Sequence, residues 1–268
     1  MKEIWLLAAT TYKEGIRNRI LLGILLCAIL LCVFNLVFTN MFSHELSKVT
    51  VDAGLSVISI SGLMTIFFMG MNLMAKDLDK RTIYMVLARP ISRSQYVLGK
   101  FLGISLLVVT AVLLLGIVAT GSVKLTMLNA PDYIPPHFSW TKFMTAVFAL
   151  TLSLLIIVSL AILFTVLTSS SFLAVLMTIS TYLIGQNAEA VRRLVLQTSS
   201  EAMYTFKKAI IIISWLFPNL EAFNLKTAAA YGLVIDKEAL LWSFLHGVSY
   251  IGLILIIAVV LFNRRELT

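Results

Sequence analysis

Groups able to do acid–base, nucleophilic or metal chemistry are few in this 268-residue chain, and they do not converge. His44, His137 and His246 fall in three separate segments, and no CxxC, HExxH, glycine-rich nucleotide loop or nucleophile–base set occurs. A metal or general acid–base centre needs clustered ligands or paired carboxylates, so no catalytic residue, metal or cofactor is assigned. Cys27 and Cys32 stand five positions apart in one apolar run, about 140° apart around a helix, and read as small packing side chains. Charge gathers instead in one stretch: Asp77-Leu78-Asp79-Lys80-Arg81-Thr82, then Leu87-Ala88-Arg89-Pro90-Ile91-Ser92-Arg93, then Gly99-Lys100. Between Lys76 and Lys100 it holds six lysines and arginines against two acids. What such a segment offers is charge-assisted contact with another protein, not bond making.

The elements that must hold this segment are apolar. Sixty per cent of the chain is hydrophobic and 13% charged, about half the charge of ordinary soluble domains, which marks an integral membrane protein. The net charge of +8 does not imply nucleic acid, because the cations border hydrophobic runs, where they set orientation and meet anionic lipid headgroups. Uncharged runs cover 20–41, 53–75, 101–123, 143–188 and 239–262. A spanning helix needs about 20 residues, so 143–188 is two spans, broken at Thr168-Ser169-Ser170-Ser171. The expected fold is all-α, with six transmembrane helices at about 20–41, 53–75, 97–123, 142–167, 171–188 and 239–262 in a single domain over 1–268. The first run exceeds the h-region of a signal peptide.

Lysine and arginine set the direction. Residues 1–19 carry four, the loop 76–100 six and the end after Asn263 two, whereas 42–52 and 124–142 carry one and two. The positive-inside bias places both termini and the loop 76–96 in the cytoplasm of a bacterial or archaeal cell, with the chain multi-pass in its inner membrane. Residues 1–19 read as an interfacial helix with Trp5, Ala9, Tyr12 and Ile16 on one face. The outer segment 189–238 contains the apolar run Ala209–Phe217, too short to cross and suited to a re-entrant or interfacial helix. Trp140 and Trp242 stand at the outer ends of their spans, as interfacial aromatics do.

No Asp, Glu, Lys or Arg lies deep inside a span. Gradient-driven transporters usually keep an ionisable group at depth, so energy is expected from a partner. His246, about 10 Å into the last span, reads as a packed, hydrogen-bonded histidine. Ser61, Thr65 and Asn72 share a side of the second span, and Ala174, Thr178, Thr181 and Gly185 form a small-residue stripe on the fifth. Such residues allow close helix contact, either within the chain, at a dimer interface or along a substrate path. In the loop, residues 77–88 can form a short helix that stops before Pro90, with Ile83 and Leu87 on one face. Ser92-Arg93-Ser94-Gln95 is a capping box that opens the third span.

With these features the chain resembles the permease subunit of a type-2 ABC transporter, in the branch that includes the permease of the nitrous-oxide reductase maturation system. Those permeases show Glu-x-Glu-x-Gly-Thr, a leucine-rich stretch, an Arg-Pro-hydroxyl-Arg variant and a Gly-Lys. Asp77, Asp79, Thr82, Leu87, Ala88, Arg89, Pro90, Ile91, Ser92, Arg93, Gly99 and Lys100 match in order. Aspartates replace the glutamates, and Arg81 stands where glycine is usual. Lys13-Glu14 through Arg19 resembles the family's elbow helix, Leu216–Leu220 the segment before the last span, and Phe262–Leu267 the usual ending. The resemblance implies that 76–96 is a coupling loop seated in a cytoplasmic ATP-hydrolysing subunit. Asp77, Asp79, Arg81, Thr82, Ile83, Leu87, Arg89 and Pro90 would make the contact. It also implies two permeases, identical or different, working with two ATPases. The expected function is the non-catalytic permease of an ATP-driven exporter; the alternatives are a secondary transporter or channel, or a non-transporting membrane assembly factor. The chain has no Walker-type loop of its own.

Overall fold

The computed structural model describes residues 2–39, 46–70, 92–129, 138–168, 170–197 and 217–264. Among them the elements are α1 (Lys2–Arg17), α2 (Arg19–Thr39), α3 (Leu46–Met64), α4 (Arg93–Asn129), α5 (Trp140–Leu167), α6 (Ser171–Gln197), α7 (Lys226–Tyr231) and α8 (Lys237–Arg264). A π-helical stretch, Thr65–Gly70, continues α3, and a 3-10 turn, Glu221–Phe223, precedes α7. No strand occurs among the described residues.

Four stretches are long and apolar enough to cross a membrane: Lys48–Phe68, Arg93–Leu128, Trp140–Leu167 and Lys237–Arg264. Helices α1 and α2, bent by 61° at Asn18, together make a fifth. The expected span 171–188 lies in α6, which is not among them; Gln186, Asn187, Glu189, Arg192 and Arg193 load its second half with polar groups. The protein is thus all-helical with four or five candidate spans.

The ends of the helices follow local chemistry. Thr168 stops α5: its backbone is extended, and both its N–H (2.9 Å) and its hydroxyl (2.8 Å) donate to the Phe164 carbonyl. Helix α6 starts at once: Ala174 N–H already donates to Ser170 O. At the start of α4 the capping box forms in both directions. Ser92 N–H donates to Gln95 Oε1 at 2.9 Å, and Gln95 N–H donates to Ser92 Oγ at 3.2 Å, so two amides left orphaned by the helix start are satisfied.

Helix α5 is the centre of the bundle, with 72% of its apolar window buried, whereas α8 buries 22% and lies at the edge. Helix α1 runs parallel to α4 and α5 parallel to α8, whereas α3 and α8 run against α4, and these pairings give the bundle two ends. One gathers Arg93, Phe262 and the start of α1; the other gathers Lys48, Lys142 and Gly232.

Candidate functional site

Helix α4 begins two residues after the segment 71–91, and its first three turns are tied to two other helices. Arg93 reaches α8, donating through Nη1 to the carbonyls of Phe262 (3.1 Å) and Asn263 (3.0 Å). Those carbonyls lie in the last turn of α8, where helix acceptors lack partners and the dipole favours a cation. One turn on, the Tyr96 ring stacks on Phe262 with centroids 5.7 Å apart, and both side chains are fully buried. Lys100 is only 4% exposed and places its ammonium over the Tyr96 ring, 5.8 Å from the centroid. These contacts join two segments some 170 residues apart in sequence.

The other face of the same turns receives α1. Gln95 Nε2 donates to Glu3 Oε2 at 3.0 Å. Gly99 and Gly103 then make a trough one small residue wide. A methyl at Gly99 would lie 2.8 Å from Leu7 Cβ, and one at Gly103 would lie 2.6 Å from Thr11 Cβ and 2.8 Å from the Ala8 carbonyl. Backbones meet this closely only where both sides are small. Further along, Tyr12 and Thr110 hydroxyls lie 3.0 Å apart. The Thr110 proton goes to the Leu106 carbonyl, so Tyr12 is the donor. The buried face of α1 is Leu7, Ala8, Thr11 and Gly15. Trp5 and Ile16, on the face read as that of an interfacial helix, are 63% and 48% exposed. A displacement of the start of α4 would therefore be carried into α1 through a glycine trough and into α8 through a bidentate cation and a ring stack.

The opposite end is closed by the connector 217–236. Leu220 N–H donates to Gly185 O at 3.1 Å, and a methyl on Gly185 would meet the Pro218 carbonyl at 2.7 Å. Phe223 fits under Gly247, beside Leu152. Gly185 and Leu152 lie twelve residues from their helix ends, about 18 Å at 1.5 Å per residue, so the connector dips well into the bundle before α7 returns. Three cations hold α7 there. Lys142 Nζ donates to the Gly232 carbonyl at 2.6 Å, Lys48 sits over the Tyr231 ring at 4.8 Å, and Lys226 is half-buried near Asp52. Burial pushes the Lys226 amine below the ordinary lysine range, and the charge of Asp52 restores part of the loss. Gly232 adopts φ 67°, the left-handed geometry that ends α7.

Of the residues singled out in the sequence, Asp77, Asp79, Arg81, Thr82, Ile83, Leu87, Arg89 and Pro90 lie outside the described residues, as do Asn72 and most of the run 209–217. Ser61 and Thr65 are buried within the chain, and Thr65 donates its hydroxyl to the Ser61 carbonyl at 2.8 Å. Thr178 and Thr181 are buried too, and Thr178 donates to the Ala174 carbonyl at 2.7 Å. The Thr65 and Thr178 hydroxyls are thus used on their own helix, and Gly185 packs on the chain's own connector. His246 differs from expectation: it is exposed, with the Tyr250 ring 6.3 Å away between centroids. The ties made by Arg93, Gly99 and Gly103 were missed as a site; Gly99-x-x-x-Gly103 was the signal that could have found them. Among the described residues no three His, Cys, Asp or Glu side chains cluster to hold a metal.

The described residues form a helical bundle with four or five candidate membrane spans, in which the first turns of α4 are fastened to α1 and α8. Residues 5–267 match the family described as ABC-2 family transporter protein, and the chain belongs to that family. It is a multi-pass membrane permease component that pairs with an ABC ATPase subunit. No curated protein matches it as a relative.

Proposed function

We propose that this chain is the translocating subunit of an ATP-driven exporter in a bacterial or archaeal inner membrane. It has six spans, both termini in the cytoplasm, and works as a pair with two copies of the ATPase. We place it, on the loop motif, in the branch of the nitrous-oxide reductase maturation permease. The observation that carries this reading is the clamped start of α4. A loop that ends at a capping box, with α1 and α8 fastened to the following turns, can hand a push to several helices at once. Asp79, Arg81 and Arg89 supply charged contacts to the ATPase, and Ile83 and Leu87 fill its groove. A partner shifts an equilibrium only by differential contact with its two states, and this loop is where nucleotide-dependent contact enters. The stripe on α6, with Ser61 and Thr65, lines packing surfaces beside the path.

The test is Leu87→Asp and Arg89→Glu in the intact complex. Both are expected to keep membrane insertion while the copurifying ATPase and the transport-coupled ATP hydrolysis fall. Normal copurification and normal coupled hydrolysis in both variants would remove the coupling role. A cysteine at position 132 should react with an impermeant thiol reagent in intact cells and one at 265 should not; the reverse would overturn the topology.

A further inference from the structure

A cavity of about 50 Å³ lies beneath the connector, between α3, α5 and α6, and the permease reading makes no use of it. Ser59 of α3, Ser153 of α5, Tyr182 and Gln186 of α6, and Asn224 and Lys226 of the connector border it. Among the described residues none of these six side chains hydrogen-bonds to the protein. Ser153 shows the contrast most clearly. It is 8% exposed, and on the same helix Thr151, Ser159 and Thr165 each donate to a carbonyl one turn back at 2.7 Å. Ser153 makes no such bond and faces the cavity instead. Buried polar groups are satisfied by the protein or by something bound, so this cavity has a polar occupant.

The lining says which kind. Hydroxyls, amide NH2 groups and an ammonium all donate, and no carboxylate is among the described residues that border the cavity. Lys226 is half-buried. Asp52, earlier on α3, is the acid whose charge reaches it, but Asp52 is exposed, forms no ion pair with it among the described residues, and offsets only part of the cost of burying the amine. A cation would be repelled by the ammonium, and water alone would leave its burial cost in place. The space holds three to five water molecules at about 10–15 Å³ each, which admits a chloride-sized ion with a water or two and excludes a lipid phosphodiester. We infer that this cavity binds a small monovalent anion of chloride size, held by Lys226 from the connector, Ser59 from α3, Ser153 from α5 and Tyr182 from α6. Bound there, the anion bridges the connector to three helices. The site lies at the opposite end of the bundle from the Arg93 clamp, so its test does not involve the coupling loop or the ATPase.

The full-length protein in detergent is titrated with chloride at constant ionic strength, with gluconate making up the balance, and the chloride-35 NMR linewidth is read. The parent should broaden the chloride line. Bromide, close in size and equal in charge, should remove the excess broadening, and gluconate, too large for the space, should not. Lys226→Gln should weaken binding about tenfold or more, the loss of one charge-assisted hydrogen bond, and Ser153→Ala and Tyr182→Phe about threefold each, the scale of a neutral one. The latter two remove only a hydroxyl and read the site even where Lys226→Gln does not fold. Lys237→Gln, at an exposed position outside the cavity, should bind as the parent does. In the same buffers chloride should raise the melting temperature of the parent more than that of Lys226→Gln, because a ligand bound only to the folded state stabilises it. A parent with no bromide-sensitive broadening would mean that the cavity holds water only, and would overturn the assignment. So would unchanged binding in Lys226→Gln and in the Ser153→Ala/Tyr182→Phe double variant, which would put the ion elsewhere.

Discussion

Replacing Gly103 with alanine adds one methyl group at the tightest point between α1 and α4. The new Cβ would lie 2.6 Å from Thr11 Cβ and 2.8 Å from the Ala8 carbonyl oxygen, against an ordinary contact of 3.4 Å or more. Neither neighbour is the tip of a flexible side chain, so α1 must retreat by about 0.8 Å, the difference between 3.4 and 2.6 Å. That retreat loosens Leu7 over Gly99 and stretches the Gln95–Glu3 bond. Overpacking of this kind costs about 1–3 kcal/mol. With no clash the sign would reverse, because alanine in place of helical glycine gains about 0.4–1 kcal/mol. Gly121 and Gly252, where an added methyl would meet nothing within 4 Å, supply that control. The assay is thermal unfolding in detergent, followed by oxidative crosslinking of a Glu3→Cys/Gln95→Cys pair. Gly103→Ala should unfold several degrees earlier and crosslink less, while Gly121→Ala and Gly252→Ala should be neutral or better. Adding Thr11→Gly, which removes the opposing Cβ, should restore part of the loss and leave the Ala8 contact. Were Gly103→Ala as stable and as crosslinkable as the parent, α1 would not be seated in the glycine trough and the clamp would be refuted.

Gly185→Leu should destabilise the protein even as a single chain, because the side chain must displace the Pro218 carbonyl and Leu220; an unchanged melting temperature with intact dimers would refute that packing. Arg93→Ala removes two donors from the last turn of α8 and should cost about 1.5 kcal/mol, the lower end for a charged donor at a partly exposed site. Faster amide exchange confined to the end of α8 would report it, and unchanged exchange there would count against the tie. Lys226 carries a pH signature. Its amine is held below 10.5 in the folded state by burial, so the unfolded chain binds more protons and stability rises with pH. The penalty is fully present below the lowered value and is relieved as pH climbs towards 10.5. The melting temperature of the parent should therefore gain on that of Lys226→Met across that window. Parallel curves would show that the amine is not desolvated.

Local chemistry was legible in the sequence. The capping box at Ser92 and Gln95 involves atoms three residues apart, so its pattern is its structure. The polar break at Thr168 ends α5 because a hydroxyl and an amide four residues on can take the same carbonyl. The membrane character followed from composition, and family membership agrees with motifs that run nearly the whole chain. Tertiary structure decided the faces. On α1, hydropathy marked the side with Trp5 and Ile16 as interfacial but not the side that packs; helices pack where backbones can approach, so Leu7, Ala8, Thr11 and Gly15 turn inward onto Gly99 and Gly103. Inside a membrane an apolar face and a packed face are different things, because lipid satisfies the first. The stripe through Thr178 and Gly185 was visible as small, yet only the fold brings Pro218 and Leu220 to it. His246 shows the same limit: its depth in the span suggests burial, but its exposure depends on α8 lying at the bundle edge. Arg93 could be counted as one more inner cation until Phe262 and Asn263, 169 and 170 positions away, arrived to accept its hydrogen bonds. No spacing rule reaches that far, since which distant carbonyls meet a side chain is fixed by the packing of whole helices.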